Sequence, residues 1–298
     1  MFFQQLINGI TLGSIYALFA LGYTMVYGIL LMINFAHSEI FMVGAYLGLW
    51  ALMALPVVAG FSTPLYLVIV FLIAILGAGV LAVTVERMAY RPLRKASRLA
   101  PLISAIGVSI FLQNLIQVTV SAQSQPYPTT FAISQFEFLG LQVNSLQIFI
   151  FAAAISAMVV LQIFVTRTRL GKAMRATAQN HTVAQLMGIN VNSIIAITFL
   201  IGGALGGLAG VLNGMYYGSI KFNMGFFPGL KAFTAAVVGG IGNIKGAMAG
   251  GFLLGIIEAL TVGYISSGYK DVILFMVLIL VLIFRPTGIF GEAVTEKI

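Results

Sequence analysis

Two histidines, His37 and His181, and the carboxylates Glu39, Glu258 and Asp271 are the side chains in this sequence best suited to move a proton or hold a cation. The histidines stand far apart in the chain and Asp271 is the single aspartate, so the spacing indicates neither a metal pair nor an acid–base dyad. With no cysteine, disulfides, thiolate metal sites and a cysteine nucleophile are excluded. The segments RLGKA and NIKGA come nearest to a phosphate-binding loop, but both lack the glycine and hydroxyl spacing of G-x-x-x-x-G-K-[ST]. The sequence therefore predicts no cofactor, no metal and no enzyme activity of its own. Glu39 and His37 stand at the start of an apolar run. There an ionisable residue is a candidate for function, and a carboxylate also complements a helix dipole. Glu258 is placed near the outer end of its helix, within reach of Lys270.

The elements that must hold these groups are set by composition. The 298 residues are 60% hydrophobic and 7% charged, against roughly 25% charged in soluble proteins. The net charge of +8 comes from cations that punctuate apolar runs and form no dense patch for phosphates, which argues against nucleic acid. A spanning helix needs about 20 mostly apolar residues. Such runs include Leu6 to Leu31, a shorter one from Ile40 to Leu55 ended by Pro56, and Pro64 to Val85 after the breaker stretch GFSTP. Others are Leu99 to Val120, Ser145 to Val165, Ile194 to Met215 and Val272 to Phe284. The start, MFFQQLINGI, has no basic region or cleavage site and reads as part of the first span. Two basic clusters, ERMAYRPLRKASR from Glu86 and the run from Arg167 to Arg175, are separated by two spans and so lie on one face. The lysine and arginine excess marks that face as cytoplasmic. Counting outward from there places the N-terminus outside and the C-terminus inside. Residues 230–260 read as a re-entrant hairpin turning near Lys245, because a single crossing would leave Arg285 outside. The fold expected is one all-α, polytopic membrane domain over 1–298, with about eight transmembrane helices plus a re-entrant or broken-helix hairpin.

Two segments share a layout: span one followed by MINFAHSEIFMVGAYLG, and span six followed by FNMGFFPGLKAFTAAVVGG. Since these spans run in opposite senses, the relation predicts inverted repeats, an arrangement in which broken helices build a midplane site. Candidates for a translocation pathway are accordingly Asn34, His37 and Glu39 at the first break and Lys231, Thr234 and Asn243 at the second. Gly202, Gly206, Gly210 and Gly214 form a stripe at four-residue spacing, which lets helix backbones approach closely, either within the chain or between subunits.

The stretch RTRLGKAMRATAQNHTVAQLMGIN, Arg167 to Asn190, departs from all of this. Leu170, Ala173, Met174, Thr177 and His181 recur at helical spacing opposite Arg169, Lys172, Ala176 and Gln179, which predicts an amphipathic helix. Thr182 and Gln185 have the spacing of a capping box for a second short helix, which Gly188 ends in a left-handed cap. Lipid can hold such a basic helix, but a second capped helix points to docking on another protein.

Taken together, NGITLGSIYALFALGYTMVYGILLMINFAHSE, ERMAYRPLR, LISAIGVSIFLQN, RLGKAMRATAQN with LMGIN, KAFTAAVVGGIGNIKGAMAGG and RPTGIFG resemble the permeases of bacterial branched-chain amino acid (Liv-type) ABC transporters over essentially the whole chain. The resemblance implies an inner-membrane permease subunit that works with a second, different permease, two cytosolic ATPases and an extracytoplasmic binding protein. It assigns ATPase coupling to a cytoplasmic loop at about 167–193, in particular to Arg169, Gly171, Lys172, Arg175, Ala176, Ala178 and Gly188. The alternative is a stand-alone carrier or channel for a small neutral solute such as urea or a short amide.

Overall fold

A computed structural model describes residues 1–54, 63–94, 96–97, 99–128, 134–138 and 140–291. Leu55, Pro56, the start of GFSTP, and Lys95 and Arg98 of the first basic cluster lie outside the described residues. The chain is helical almost throughout. It runs α1 (Phe2–Leu30), α2 (His37–Ala54), α3 (Thr63–Val85), α4 (Leu99–Thr119), α5 (Ser145–Arg167), α6 (Arg169–Gln179), α7 (His181–Leu186), α8 (Val191–Tyr217), α9 (Phe226–Gly239), α10 (Ile244–Tyr264) and α11 (Lys270–Phe284). Beyond Val85 the third helix continues through a π-helical turn, Glu86–Tyr90, and a 3-10 turn, Arg91–Leu93. Two short antiparallel ladders complete the described elements: β1 (Gln125–Pro126) with β4 (Ser219–Ile220), and β2 (Gln135–Phe138) with β3 (Leu141–Asn144).

Eight helices among the described residues are long and apolar enough to cross a membrane. α9, with 14 residues, is too short, reaching roughly 21 Å at 1.5 Å per residue against a hydrocarbon core of about 30 Å. Residues 230–260 form two helices joined at 240–243, where Gly240 and Gly242 have positive φ and Asn243 caps α10 by accepting from the Gly246 N–H at 3.2 Å. The turn thus falls just before Lys245. α10 is long enough to be a full span, so the expected broken-helix hairpin consists of a short helix and a crossing one.

α1 is buried along most of its length, whereas α4, α5 and α11 show most of their apolar surface outward, as lipid-facing helices do. Packing follows one scheme twice. α10 lies along α1, with α9 against both and α11 beyond α9; α3 lies along α8, with α2 against both and α4 beyond α2. His181, at the start of α7, bonds the Ile29 carbonyl in the last turn of α1 at 2.9 Å, and further along α8 Gly202 meets Gly22 earlier in α1, so α1 and α8 run in opposite senses. That is the layout of an inverted repeat.

Glycine makes these contacts close. A Cβ on Gly9 would sit 2.7 Å from the Ile256 Cα, and one on Gly13 2.8 Å from the Phe252 Cα. Gly251 and Gly255 of α10 likewise face the backbones of Ala17 and Gly13, with no room for a side chain. On the other half, Gly203 and Gly207 meet the Ala78 and Ala74 carbonyls of α3. The stripe Gly202, Gly206, Gly210 and Gly214 lies against Gly22, the His37 ring, the Phe41–Ala45 backbone and the Tyr127 ring in turn, all within the chain.

The α6–α7 element differs from its sequence reading in two details. Asn180, not Thr182, caps α7: its Oδ1 accepts from the Thr182 and Val183 N–H groups at 2.9 and 3.0 Å, placing Thr182 inside the helix. An Asn two residues upstream competes for the same orphan donors. Also, the inward face of α6 is Gly171, Met174 and Thr177, while Leu170 is exposed. Gly188, at φ +81°, follows the end of α7.

Replacing Gly255 by Leu drives a side chain into the α1 backbone and is expected to destabilise the fold by about 3 kcal/mol or more. The control is Gly107→Ala on α4, where a Cβ meets nothing within 4 Å; its expected effect is within about 0.5 kcal/mol. Thermal unfolding of the purified variants in detergent measures both.

Candidate functional site: a cavity at two helix breaks

α2 begins inside the bundle. The connector after α1 turns at Leu31, which has φ 51°, and Asn34 anchors it by accepting a 2.6 Å hydrogen bond from the Tyr90 hydroxyl of the π-helical turn. His37 is buried between Phe19 and Tyr23, with ring centroids 5.2 and 4.8 Å away, and packs under Gly22 and Gly206. Glu39 follows, fully buried. Its Oε1 accepts from Ser38 Oγ at 3.1 Å, Ser109 Oγ at 3.1 Å and Gln113 Nε2 at 2.8 Å. Among the described residues its Oε2 has no hydrogen-bond partner. A buried carboxylate with half its acceptors unmet is costly, which makes it the group here most in need of a donor.

The start of α9 meets this point. Gly225 packs on the Ser38 backbone, where a Cβ would lie 3.2 Å from Glu39 Oε2, and Gly229 stands over the Ser38 Cβ and the Tyr23 hydroxyl. No side chain caps α9. Between α4 and α9 opens a cavity of about 390 Å³, lined chiefly by Phe35, Ile106, Ile110, Phe226 and Leu230, with Tyr23, Ser38, Ser109 and Gln113 as its polar members. Apolar walls with a few convergent polar groups are the usual make-up of a small-molecule site.

A second polar cluster lies across α9. Lys231 Nζ is 2.7 Å from Glu258 Oε1 and 2.8 Å from Asp271 Oδ1, and the Tyr16 hydroxyl donates to Glu258 Oε2 at 2.8 Å. Glu258 therefore pairs with Lys231 and not with Lys270: it lies buried on the side of α10 that faces α9 and α1. This cluster borders a cavity of about 420 Å³ near the end of α8 and the start of α11.

The six pathway residues suggested by the sequence thus separate. Asn34, His37 and Glu39 come together at the first break, and Lys231 belongs to the ion-pair cluster. Thr234 is buried and returns its hydroxyl to the Leu230 carbonyl. Asn243 caps α10 and donates to the Phe290 carbonyl at 2.9 Å, next to the C-terminal strap whose Ile289 and Phe290 N–H groups bond the Val238 and Gly239 carbonyls. Sequence reasoning passed over Tyr23, Ser109 and Gln113. The signal was present in the four-residue spacing of Ser109 and Gln113 on an otherwise apolar helix.

On the face that carries α6 and α7, Arg169, Lys172, Arg175, Ala178 and Gly188 are exposed and Ala176 is half-buried. Gly171 is buried: any side chain there would strike the Phe164 and Val165 carbonyls, so it shapes the α5–α6 turn and offers no surface of its own. The prominent apolar groups are ones the sequence reading did not choose, Leu186 at 82% and Met187 at 77% exposed. Near the start of α8, the buried carboxylate of Glu86 takes a two-pronged ion pair from Arg91 at 3.0 and 3.1 Å and a second from Arg94, which also bonds Asn192 at 2.7 Å. Burial lowers the Arg94 guanidinium from its ordinary value, and Glu86 opposes that shift. Among the described residues, no three His, Cys, Asp or Glu side chains cluster as metal ligands.

Comparison with known proteins agrees with this architecture. The family described as "Branched-chain amino acid transport system / permease component" matches residues 5–282. The chain is 48% identical over 301 residues to the high-affinity branched-chain amino acid transport system permease protein BraD of Pseudomonas aeruginosa, covering 100% of this chain and 98% of the relative. It is 48% identical over 302 residues to LivH of Escherichia coli K12, with the same coverage. The ribose import permease RbsC of Escherichia coli aligns over only 38% of the chain, at 32% identity. By length matched, identity and fold, this chain belongs to the permease component family of branched-chain amino acid transport systems.

Proposed function

We propose that this chain is the membrane-spanning permease subunit of an ATP-driven importer in the bacterial inner membrane, moving branched-chain or other neutral amino acids. An extracytoplasmic binding protein delivers the substrate, a second and different permease completes the pathway, and two cytosolic ATPases supply the energy. The N-terminus lies outside and the C-terminus inside, with α6 and α7 in the cytoplasm: α9 starts within the bundle and returns the chain to the α6 face, where Gly242 and Ile244 lie near Gly28 and Arg175, so that α10 and α11 then cross out and back in. The observation that carries the reading is the cavity at the two helix breaks, apolar on its walls, whose polar members Ser38, Ser109 and Gln113 bond the buried Glu39 behind them. An aliphatic side chain is accommodated by Phe35, Ile106, Ile110 and Leu230, and an α-ammonium supplies the donor that Glu39 lacks. The uncapped N-terminus of α9 faces the carboxylate with its partial positive charge. Affinity is left to the binding protein, so binding in the pathway is weak.

Coupling falls to α6 and α7. Leu186 and Met187 are apolar side chains held out on a capped helix, within a basic surround of Arg169, Lys172 and Arg175. They fit an apolar pocket on a partner with an acidic rim. ATP-driven closure of the ATPases then pushes on α7 and tilts the bundle around the cavity.

Two outcomes test this. In proteoliposomes holding the complete transporter, Glu39→Gln keeps the local hydrogen bonds and removes the charge; leucine uptake is expected to fall at least about tenfold, equivalent to about 1.4 kcal/mol, while the complex still assembles. The double change Leu186→Asp, Met187→Asp is expected to abolish both uptake and co-purification of the ATPases without loss of membrane insertion. Leucine uptake by this chain alone, without ATPases or binding protein, would instead identify a stand-alone carrier.

A further inference from the structure

The second cavity is not used by the mechanism above, and its chemistry is specific. It lies at the end of the molecule away from α6 and α7, bounded by the end of α8, the β4 connector, the first turn of α9 and the start of α11. Asn213 lines it at 5% exposure, and among the described residues its Oδ1 has no hydrogen-bond partner. Asp271 lines it too, held by Lys231 on one side and with a side chain 35% exposed. Lys221 and Lys270 supply cations, and Met224 and Phe227 supply apolar wall.

We infer that this cavity is a second α-amino-acid site, an outer vestibule that holds the zwitterionic backbone of a substrate before it enters the Glu39 cavity. The inference rests on the transport reading above and adds a site to it. The α-ammonium bonds Asn213 Oδ1 and the free side of Asp271, the carboxylate takes Lys221 or Lys270, and the side chain lies on Met224 and Phe227. Acceptors and cations in one cavity select a zwitterion over an amine or an acid alone. Position makes the site a waypoint. Phe227, Pro228 and Lys231 border the vestibule while Phe226, Gly229 and Leu230 border the other cavity, so one turn of α9 is the wall between them.

The test uses the complete transporter in lipid nanodiscs, without ATP or binding protein, and radiolabelled leucine binding by scintillation proximity. A Glu39→Gln complex isolates the vestibule by weakening the inner site. In that background leucine binding should persist, and neither 4-methylvalerate, which lacks the ammonium, nor leucinamide, which lacks the carboxylate, should displace it. Adding Asn213→Leu or Asp271→Asn should weaken binding at least tenfold, whereas Asn213→Asp, which keeps an acceptor, should stay within threefold. The inference is overturned by loss of all binding in the Glu39→Gln complex, by 4-methylvalerate competing as well as leucine, or by unchanged affinity in both weakening variants. If a variant fails to assemble, the competition result in the Glu39→Gln complex decides alone. Absence of leucine uptake by the wild-type transporter would be the separate failure of the transport reading; normal uptake with unaltered vestibule affinities would sink only the vestibule.

Discussion

Every backbone N–H and C=O at bilayer depth must find a partner inside the protein, and two helices of this chain begin there. The connector into α2 closes its own turns, His37 N–H to the Asn34 carbonyl at 3.0 Å and Glu39 N–H to the Ala36 carbonyl at 3.1 Å. The connector into α9 does the same with Met224 N–H to the Lys221 carbonyl at 2.9 Å. Such segments tolerate no lipid, so other helices must cover them. α1 and α8 do this by crossing at Gly22 and Gly202, and α10 and α3 back them through further glycine contacts. The glycine content follows from the breaks: close backbone approach is how a helical bundle seals irregular chain without bulky side chains.

The two breaks are electrically unlike, and that difference is the reason for proposing the site at the first. At the second, Lys231 meets two carboxylates and Glu258 also receives the Tyr16 hydroxyl, so the buried charge is compensated from within. Such a cluster fixes α9 against α10 and α11; removing one partner would strand a buried charge at a cost of about 3–5 kcal/mol. At the first break, Glu39 has three neutral donors on one oxygen, none on the other, and no cation among its hydrogen-bond partners. A complete network stabilises a wall. An incomplete one beside an apolar cavity leaves room for a ligand to complete it.

Long charge-free runs made most of the helices legible in the sequence, because span length and the placement of Lys and Arg are imposed by the bilayer itself. The inverted layout was legible from two similarly interrupted segments. α9 was less so: it was placed as one limb of a hairpin, although its start at Phe226 and its end at Gly239 are set by packing on Ser38 and on the C-terminal strap. Glu39 and Lys231 could be singled out as charges in apolar surroundings. That they belong to different cavities could not, since it depends on which face of α9 each meets. Asn180 taking the cap from Thr182 is a competition between two good capping residues, decided by the geometry of the chain leaving α6.

The coupling role proposed for α7 has a route to the cavity in bonds already described. Asn192, just inside α8, is held by Arg94, and Arg94 by Glu86 at the start of the π-helical turn. At the other end of that turn, Tyr90 holds Asn34, three residues before the start of α2 and five before Glu39. π-helical turns often occur at functional sites, and here the turn joins the face that carries α6 and α7 to the helix break, through an exposed Asn192 and half-buried Arg94 at one end and the buried Glu86, Tyr90 and Asn34 at the other. A second link, His181 to the Ile29 carbonyl, ties the start of α7 to the last turn of α1, immediately before the same connector. The two links thus reach the chain at Ile29, just before residues 31–36, and at Asn34 within them. That connector carries no helical hydrogen-bond ladder, so under the coupling role proposed for α7 it is the segment that yields, beside Glu39, before the glycine-packed helices around it.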